Sequence, residues 1–245
     1  MRIHARMKTA LRITALAACA VASIAAAPKH APAARGVNWI GVTAVTANGG
    51  HRLGNPDAPL KLVEYVSYTC PHCAHFTKES EPVLRMTLIP KGQISVTVVN
   101  LLRNPIDMTV AMLTNCGDPK RFFVRNNAFF ASQDQWLGTA VKFSAEQQKR
   151  WYQGEPPQRM RAMAADLGLY DKMATWGITR AQADACLGDK AILAKLKAQQ
   201  TEVQSLGLTS TPSFTLNGEV LDGHDWESVS KAITDKMAEQ REGST

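Results

Sequence analysis

Residues 68–76 read YTCPHCAHF, which places two cysteines two residues apart. Cys70 and Cys73 could form a redox-active dithiol, half of a metal site, a haem attachment or a structural disulfide. Haem attachment needs a histidine directly after the second cysteine, and Ala74 stands there. A disulfide across so short a loop would constrain the unfolded chain little, so a purely stabilising role is a weak explanation.

A metal site would need about four ligands. His75 could join the two cysteines, but no second close pair of Cys or His residues follows downstream. The sequence therefore predicts no metal, and no cofactor other than a redox-active Cys70–Cys73 disulfide.

The catalytic interpretation has a physical basis in the neighbouring elements. An apolar strand precedes Cys70 and a helical pattern follows it, so Cys70 is expected at a helix N-terminus, where free N–H groups and the helix dipole favour a thiolate. Pro71 suits the first helical position, and His72 can add a hydrogen bond or positive charge. Cys73, one turn along, is placed to attack a mixed disulfide at Cys70.

The elements around this site form a strand, helix, strand unit. LKLVEYVSY, which begins at Leu60, is apolar on both faces and predicts a central strand. The helical pattern after the cysteines contains Pro82, which predicts a kink. QISVTVVNLL, residues 93–102, is β-branched and predicts a second buried strand, and the helical crossover between the two strands predicts parallel pairing.

The rest of the chain divides into a helical block and a short return to strand structure. Residues 104–204 carry few strand signals and predict several helices. TPSFTLNGEVLDG, residues 211–223, predicts a hairpin with Asn217-Gly218 in a type I′ turn. An amphipathic helix then closes the chain, and residues 241–245 are predicted to be a tail.

The N-terminal region has the layout of an export signal. Four basic residues precede an alanine-rich apolar run that is too short for a membrane span, so residues 1–27 are interpreted as a signal peptide. Lipidation at Cys19 is an alternative interpretation of the same segment. Residues 28–58 are rich in Pro, Gly, Ala and Asn and are predicted to be a flexible leader.

Charge and cysteine content agree with an exported protein. The net charge is +7, and 7 minus the four basic residues of the signal leaves +3, with no basic cluster interleaved with aromatics. The composition therefore predicts no nucleic-acid partner. Without Cys19 the chain has four cysteines, an even number that favours two disulfides. Cys116 and Cys186 bound the helical block, and a structural disulfide between them is favoured over two buried free thiols.

The context VEYVSYTCPHCAHF, together with GLTSTPSFTLNG at residues 207–218, resembles the DsbA-like thiol:disulfide oxidoreductases of the thioredoxin superfamily. The resemblance implies an α/β, thioredoxin-like fold in two parts, residues 59–103 and 205–240, with an inserted helical domain at residues 104–204.

The resemblance also implies roles for individual residues. Cys70 would be the exposed nucleophile and Cys73 the resolving thiol. Pro212 would be cis, and the backbone of Thr211 would pair with substrate peptide. Glu64 matches a buried acid that helps to move the proton of the resolving thiol, but the next strand offers no lysine to pair with it, so an unpaired Glu64 should titrate high.

We therefore expect a periplasmic dithiol oxidase, a monomer that oxidises unfolded or cysteine-containing exported proteins and is reoxidised by a quinone-linked membrane partner. The Pro-His dipeptide favours this direction because a stabilised thiolate stabilises the reduced form. Two alternatives stay open: a disulfide isomerase or reductase of the same superfamily, and a non-catalytic peptide-binding chaperone module.

Overall fold

A mixed six-stranded sheet lies at the centre of the fold, with strand order β1-β2-β4-β3-β5-β6. The computed structural model describes residues 36–243, so the predicted signal peptide and Cys19 lie outside the described residues. The strands are β1 (Thr43–Val45), β2 (His51–Gly54), β3 (Leu60–Val66), β4 (Ile94–Asn100), β5 (Ser213–Leu216) and β6 (Glu219–Val220).

The predicted strand, helix, strand unit is confirmed. β3 and β4 pair in parallel, with Leu60 opposite Ile94, and α1 (Pro71–Val83) forms the crossover. The irregularity expected at Pro82 is a change of helix type: a π-helical turn, Leu84–Leu88, follows directly, and Ile89 N–H donates to the Leu84 carbonyl over 2.9 Å. β3 is central, since β5 pairs antiparallel with its other edge.

The prediction of a flexible leader over residues 28–58 is wrong for its C-terminal part. β1 and β2 lie within that range, and β2 pairs antiparallel with β4, with His51 opposite Val98. Both strands are short and lie in a segment rich in Gly and Asn, so their local pattern resembles a loop. β2 is a strand because it pairs with β4, about 45 residues downstream, and β1 is a strand because it pairs with β2.

Helices occupy the chain between β4 and β5, as predicted for residues 104–204. Among the described residues this block contains α2 (Pro105–Thr114), α3 (Phe122–Ala131), α4 (Gln133–Ala140), α5 (Ala145–Gln148), α6 (Pro156–Asp166), α7 (Leu169–Ala174), α8 (Arg180–Leu187) and α9 (Lys190–Ser205). Proline starts α2 and α6, where a missing N–H costs nothing.

The predicted hairpin is also present. β5 and β6 pair antiparallel, and both Asn217 (φ 52°) and Gly218 (φ 89°) have the positive φ that a type I′ turn needs. The chain then forms α10 (Trp226–Glu242), which buries Val229 and Ile233 against the sheet.

Helix α1 is packed from both sides by aromatic residues. Phe76 lies 4.4 Å from Phe214 of β5 and 5.9 Å from Trp226 of α10, measured between ring centroids. Tyr68, just before α1, stacks on Phe130 of α3 at 4.9 Å. The start of α1 is therefore held between the sheet and the helical block. Within residues 36–243, no helix is long and apolar enough to cross a membrane.

Candidate active site

Cys70 is the N-cap residue of α1. Its backbone is extended (φ −97°, ψ 117°), its carbonyl oxygen accepts from Ala74 N–H at 3.3 Å, and Pro71 occupies the first turn. Proline there leaves the free N–H groups of the following residues pointing toward the cap. The strand, helix arrangement thus puts the first cysteine where an anion is favoured.

The sulfur of Cys70 lies among hydrogen-bond donors. Both Cys70 and Cys73 are free thiols. A hydrogen bond from the Cys73 thiol, the Thr211 hydroxyl and the backbone N–H groups of Cys73 and His72 together lower the pKa of Cys70 to about 4, against the opposing effect of burial. Cys70 is therefore a thiolate at neutral pH.

The expectation that Cys70 is exposed is wrong: 2% of its surface is accessible. The loop before β5 covers the sulfur, and in the thiol form Cys70 Sγ donates to the Thr211 carbonyl over 3.1 Å. Pro71 and His72 are exposed beside it. The group of His72 that lowers the pKa of Cys70 is its backbone N–H, rather than the imidazole that the sequence suggested.

Cys73 has the opposite environment. It is fully buried, and burial, followed by its hydrogen bond to Cys70, raises the pKa of its thiol above the usual range. The two cysteines therefore differ in protonation at neutral pH, one a thiolate and the other a neutral thiol. Such a pair divides naturally into a nucleophile and a resolving thiol.

The Thr211-Pro212 peptide bond is cis, as the resemblance implied. The Thr211 hydroxyl is buried without a hydrogen-bond partner while both cysteines are thiols. It is therefore free to donate to a thiolate, and it lowers the pKa values of both cysteines. On the other side of the bond, His224 Nδ1 lies 2.7 Å from the Pro212 carbonyl oxygen.

Glu64 is buried, as the resemblance implied, and forms no ion pair with any residue that the structure describes. Its neighbours across the sheet are Val98 and Phe214, and it is 7% exposed. Burial raises its pKa to about 8, so it is mainly protonated at neutral pH. Glu64 lines a narrow cavity with Thr77, whose hydroxyl donates to the Cys73 carbonyl over 2.9 Å. A proton-carrying group thus lies near the helix that bears the resolving thiol.

Two buried side chains of the helical block hold the turn before Cys70, and sequence reasoning missed both. Asp107 Oδ1 accepts from Tyr68 N–H at 2.7 Å. Gln133 Nε2 donates to the carbonyl oxygens of Tyr68 at 2.8 Å and Cys70 at 2.9 Å. Asp107 follows a helix cap and Gln133 starts a polar stretch, so the local sequence already accounts for both residue types. Nothing in the sequence therefore marks them as part of the site.

The other two cysteines that the structure describes form the predicted structural disulfide. Cys116, just after α2, is bonded to Cys186 of α8, 70 residues apart. This bond ties together two helices of the block. Within the part of the chain that the structure describes, no group of three or more His, Cys, Asp or Glu side chains could hold a metal ion.

Comparison with known proteins agrees with this geometry. The family model described as thioredoxin matches residues 46–235. This chain belongs to the thioredoxin family. Among solved structures, this thioredoxin-family protein is similar to a protein-disulfide isomerase from Novosphingobium aromaticivorans, with 44% identity, a TM-score of 0.74, and coverage of 78% of this chain and 98% of the other.

More distant relatives agree on the fold. Wolbachia pipientis alpha-DsbA1 has 21% identity and a TM-score of 0.61, with 80% of this chain and 94% of the other covered, which shows a shared DsbA-like fold. A Rickettsia conorii protein with the provisional name of protein-disulfide oxidoreductase is 27% identical over 78% of this chain. The thioredoxin-family chain spans 61% of that relative's length.

Proposed function

We propose that this protein is an exported thiol:disulfide oxidoreductase that transfers a disulfide from its Cys-Pro-His-Cys site to substrate protein thiols. The observation that carries the proposal is the divergence of the two cysteines. Cys70 has a pKa of about 4 at the N-terminus of α1, whereas burial keeps Cys73 a neutral thiol. A stabilised Cys70 thiolate stabilises the reduced form, and the disulfide is then a strong oxidant.

The reaction proceeds through a mixed disulfide. A substrate thiolate attacks Cys70 Sγ of the Cys70–Cys73 disulfide, the bond between the two cysteines breaks, and Cys73 leaves as a thiolate that takes up a proton. A second substrate thiolate then attacks the substrate sulfur of the mixed disulfide and releases Cys70 as a thiolate. Two electrons pass from the substrate to the enzyme, so the substrate is oxidised and the dithiol is reduced.

Protein groups support each stage of this reaction. Cys70 leaves easily in the second step because its thiolate is stabilised. Glu64, with a pKa of about 8, can supply the proton that Cys73 takes up. The Thr211 backbone lies against Cys70 and can pair with an extended substrate segment.

Substrates and partners follow from this chemistry. We propose that the substrates are unfolded or cysteine-containing exported proteins in the periplasm, and that residues 1–27 direct export. Each turnover leaves the enzyme reduced, so an oxidant must restore the disulfide. By resemblance to the DsbA-like family, that oxidant is a quinone-linked membrane protein.

The reduction potential tests the proposal. The purified protein is equilibrated with glutathione buffers, and the thiols of Cys70 and Cys73 are followed by mass spectrometry. A value near about −120 mV supports a dithiol oxidase, whereas a value near about −270 mV reverses the direction of electron flow. If Cys70 and Cys73 show no reversible dithiol–disulfide equilibrium, the enzyme proposal is wrong and a peptide-binding module is favoured instead.

A disulfide isomerase is the second candidate, favoured by the 44% identity to the Novosphingobium protein-disulfide isomerase. The two activities separate in a refolding assay with scrambled ribonuclease and no added oxidant. An isomerase in its dithiol form restores ribonuclease activity, whereas an oxidase acts only on reduced ribonuclease. Light scattering on the same sample determines whether the protein is the expected monomer.

A further inference from the structure

Gln133 reaches from the helical block to the backbone of the redox site. It is the first residue of α4, and 3% of its surface is accessible. Its amide nitrogen donates one hydrogen bond to the carbonyl oxygen of Tyr68 at 2.8 Å and one to that of Cys70 at 2.9 Å. Those carbonyls flank Thr69, so the Gln133 side chain bridges the turn that leads into α1 at Cys70.

Asp107 holds the same turn from another helix. Its Oδ1 accepts from Tyr68 N–H at 2.7 Å, and its Oδ2 accepts from Arg103 N–H at 3.0 Å. The N–H and the carbonyl of Tyr68 are thus both bonded to buried side chains of the helical block. Of these two side chains, only Gln133 also contacts Cys70.

The Cys70 carbonyl is an unfavourable dipole for the Cys70 thiolate. Its oxygen carries partial negative charge on the same residue as the anionic sulfur, whereas the backbone N–H groups of His72 and Cys73 stabilise that sulfur. Donation from Gln133 offsets the negative charge of the oxygen. It also fixes the orientation of the Cys70-Pro71 peptide unit, which directly precedes the N–H donors of His72 and Cys73. Without Gln133, both buried carbonyls lose a donor, and the Cys70 carbonyl keeps only the Ala74 N–H at 3.3 Å.

We propose that Gln133 is a positioning residue for the Cys70 thiolate, through which the helical block sets the redox balance of the site. The proposal deepens the oxidoreductase function and rests on it for its biological meaning. Its physical content, the effect of Gln133 on the ionisation of Cys70, is measurable on the reduced protein whether or not the enzyme oxidises substrates.

The test is Gln133→Met, which keeps the length of the side chain and removes both donors. The pKa of Cys70 is measured on the reduced protein from the pH dependence of its alkylation, with peptide mapping to separate Cys70 from Cys73. We expect the pKa to rise by about one unit, which is about a tenfold change in ionisation. The equilibrium with glutathione should shift by a similar factor, so that the variant is a weaker oxidant.

Gln199→Met is the matched control. Gln199 is 1% exposed, and its amide also bridges backbone groups: it donates to the Gly49 carbonyl at 2.8 Å and accepts from Asn100 N–H at 2.6 Å. It contacts neither cysteine. Gln199→Met should lower the melting temperature, as Gln133→Met does, and leave the pKa of Cys70 unchanged.

Three results would overturn the proposal: an unchanged pKa of Cys70 in Gln133→Met, equal shifts in both variants, or a lowered pKa. If Gln133→Met does not fold, Gln133→Asn replaces it, because it keeps the amide but is one methylene too short to reach both carbonyls. An unchanged pKa in that variant overturns the proposal as well. If the Cys70–Cys73 pair of the wild type is not oxidising in glutathione buffers, the proposed function is wrong. A shifted pKa of Cys70 in Gln133→Met would still support the role of Gln133 in that case.

Discussion

The sulfur of Cys70 lies 3.1 Å from the carbonyl oxygen of Thr211, 141 residues further along the chain. This contact joins the N-terminus of α1 to the loop that enters β5. It buries the sulfur and places it beside a backbone edge on which an extended peptide can pair. In the proposed reaction, recognition of the substrate and attack on the disulfide would therefore take place at the same point.

The first prediction concerns pH. On folding, the pKa of Cys70 falls from 9.0 to about 4. The stabilisation from the ionised thiol is complete above pH 9 and is lost as the pH falls toward 4. Between pH 4 and 7, the free energy of unfolding of the reduced protein should therefore rise relative to the oxidised protein by about 1.4 kcal/mol per pH unit. Urea denaturation of both forms measures this difference, and parallel pH profiles would contradict it.

The second prediction concerns the Thr211 hydroxyl. Thr211→Val removes a donor that lowers the pKa of Cys70 while it keeps the shape of the side chain. We expect less Cys70 thiolate and an equilibrium with glutathione shifted by roughly tenfold toward the enzyme disulfide. Thr215→Val, at a buried threonine of β5, the strand that follows the Thr211 loop, is the control and should leave the equilibrium unchanged. Equal shifts in the two variants would exclude a specific role for Thr211.

The third prediction concerns Glu64. Burial raises the pKa of Glu64 from 4.5 to about 8. Below pH 4.5 the side chain is protonated in both the folded and the unfolded chain and costs little stability. As the pH rises from 4.5 to 8, the unfolded chain ionises and the folded chain does not, so the fold is increasingly destabilised. Glu64→Gln should remove this penalty, and at pH 8 the variant should be more stable than the wild type by on the order of 4 kcal/mol. Thermal unfolding across this pH range measures the gain.

Glu64→Gln should also slow the thiol exchange of Cys73, because the variant cannot supply a proton. Glu79→Gln, at an exposed acid of α1, provides the control for both measurements. A wild-type stability that does not change relative to Glu64→Gln between pH 4.5 and 8 would show that Glu64 is ionised in the fold.

The fourth prediction concerns the structural disulfide. Replacing both Cys116 and Cys186 by serine removes a cross-link between residues 70 positions apart. We expect a loss of about 2 to 4 kcal/mol in the free energy of unfolding, with the redox equilibrium of Cys70 and Cys73 retained. Peptide mapping of a Cys70→Ala/Cys73→Ala variant should find Cys116 and Cys186 joined. Free thiols at both positions would contradict the assignment.

The sequence by itself determined the features that depend on neighbours along the chain. The period of β3, the position of Pro71 and the spacing of the cysteines predicted a thiolate at the start of a helix, and Asn217-Gly218 predicted the hairpin turn. The lack of a lysine opposite Glu64 predicted its high pKa. Each of these follows from local backbone preferences or from the pairing of two adjacent strands.

Only the tertiary structure decided the features that depend on distant segments. β2 is a strand because β4 offers it an edge, and β1 because β2 does, although their own residues resemble a loop. Cys70 is buried because the Thr211 loop covers it, and Gln133 joins the site because α4 packs against the turn before α1. Hydrogen-bonding groups are common on every segment, and the packing of the chain selects which of them meet at the sulfur.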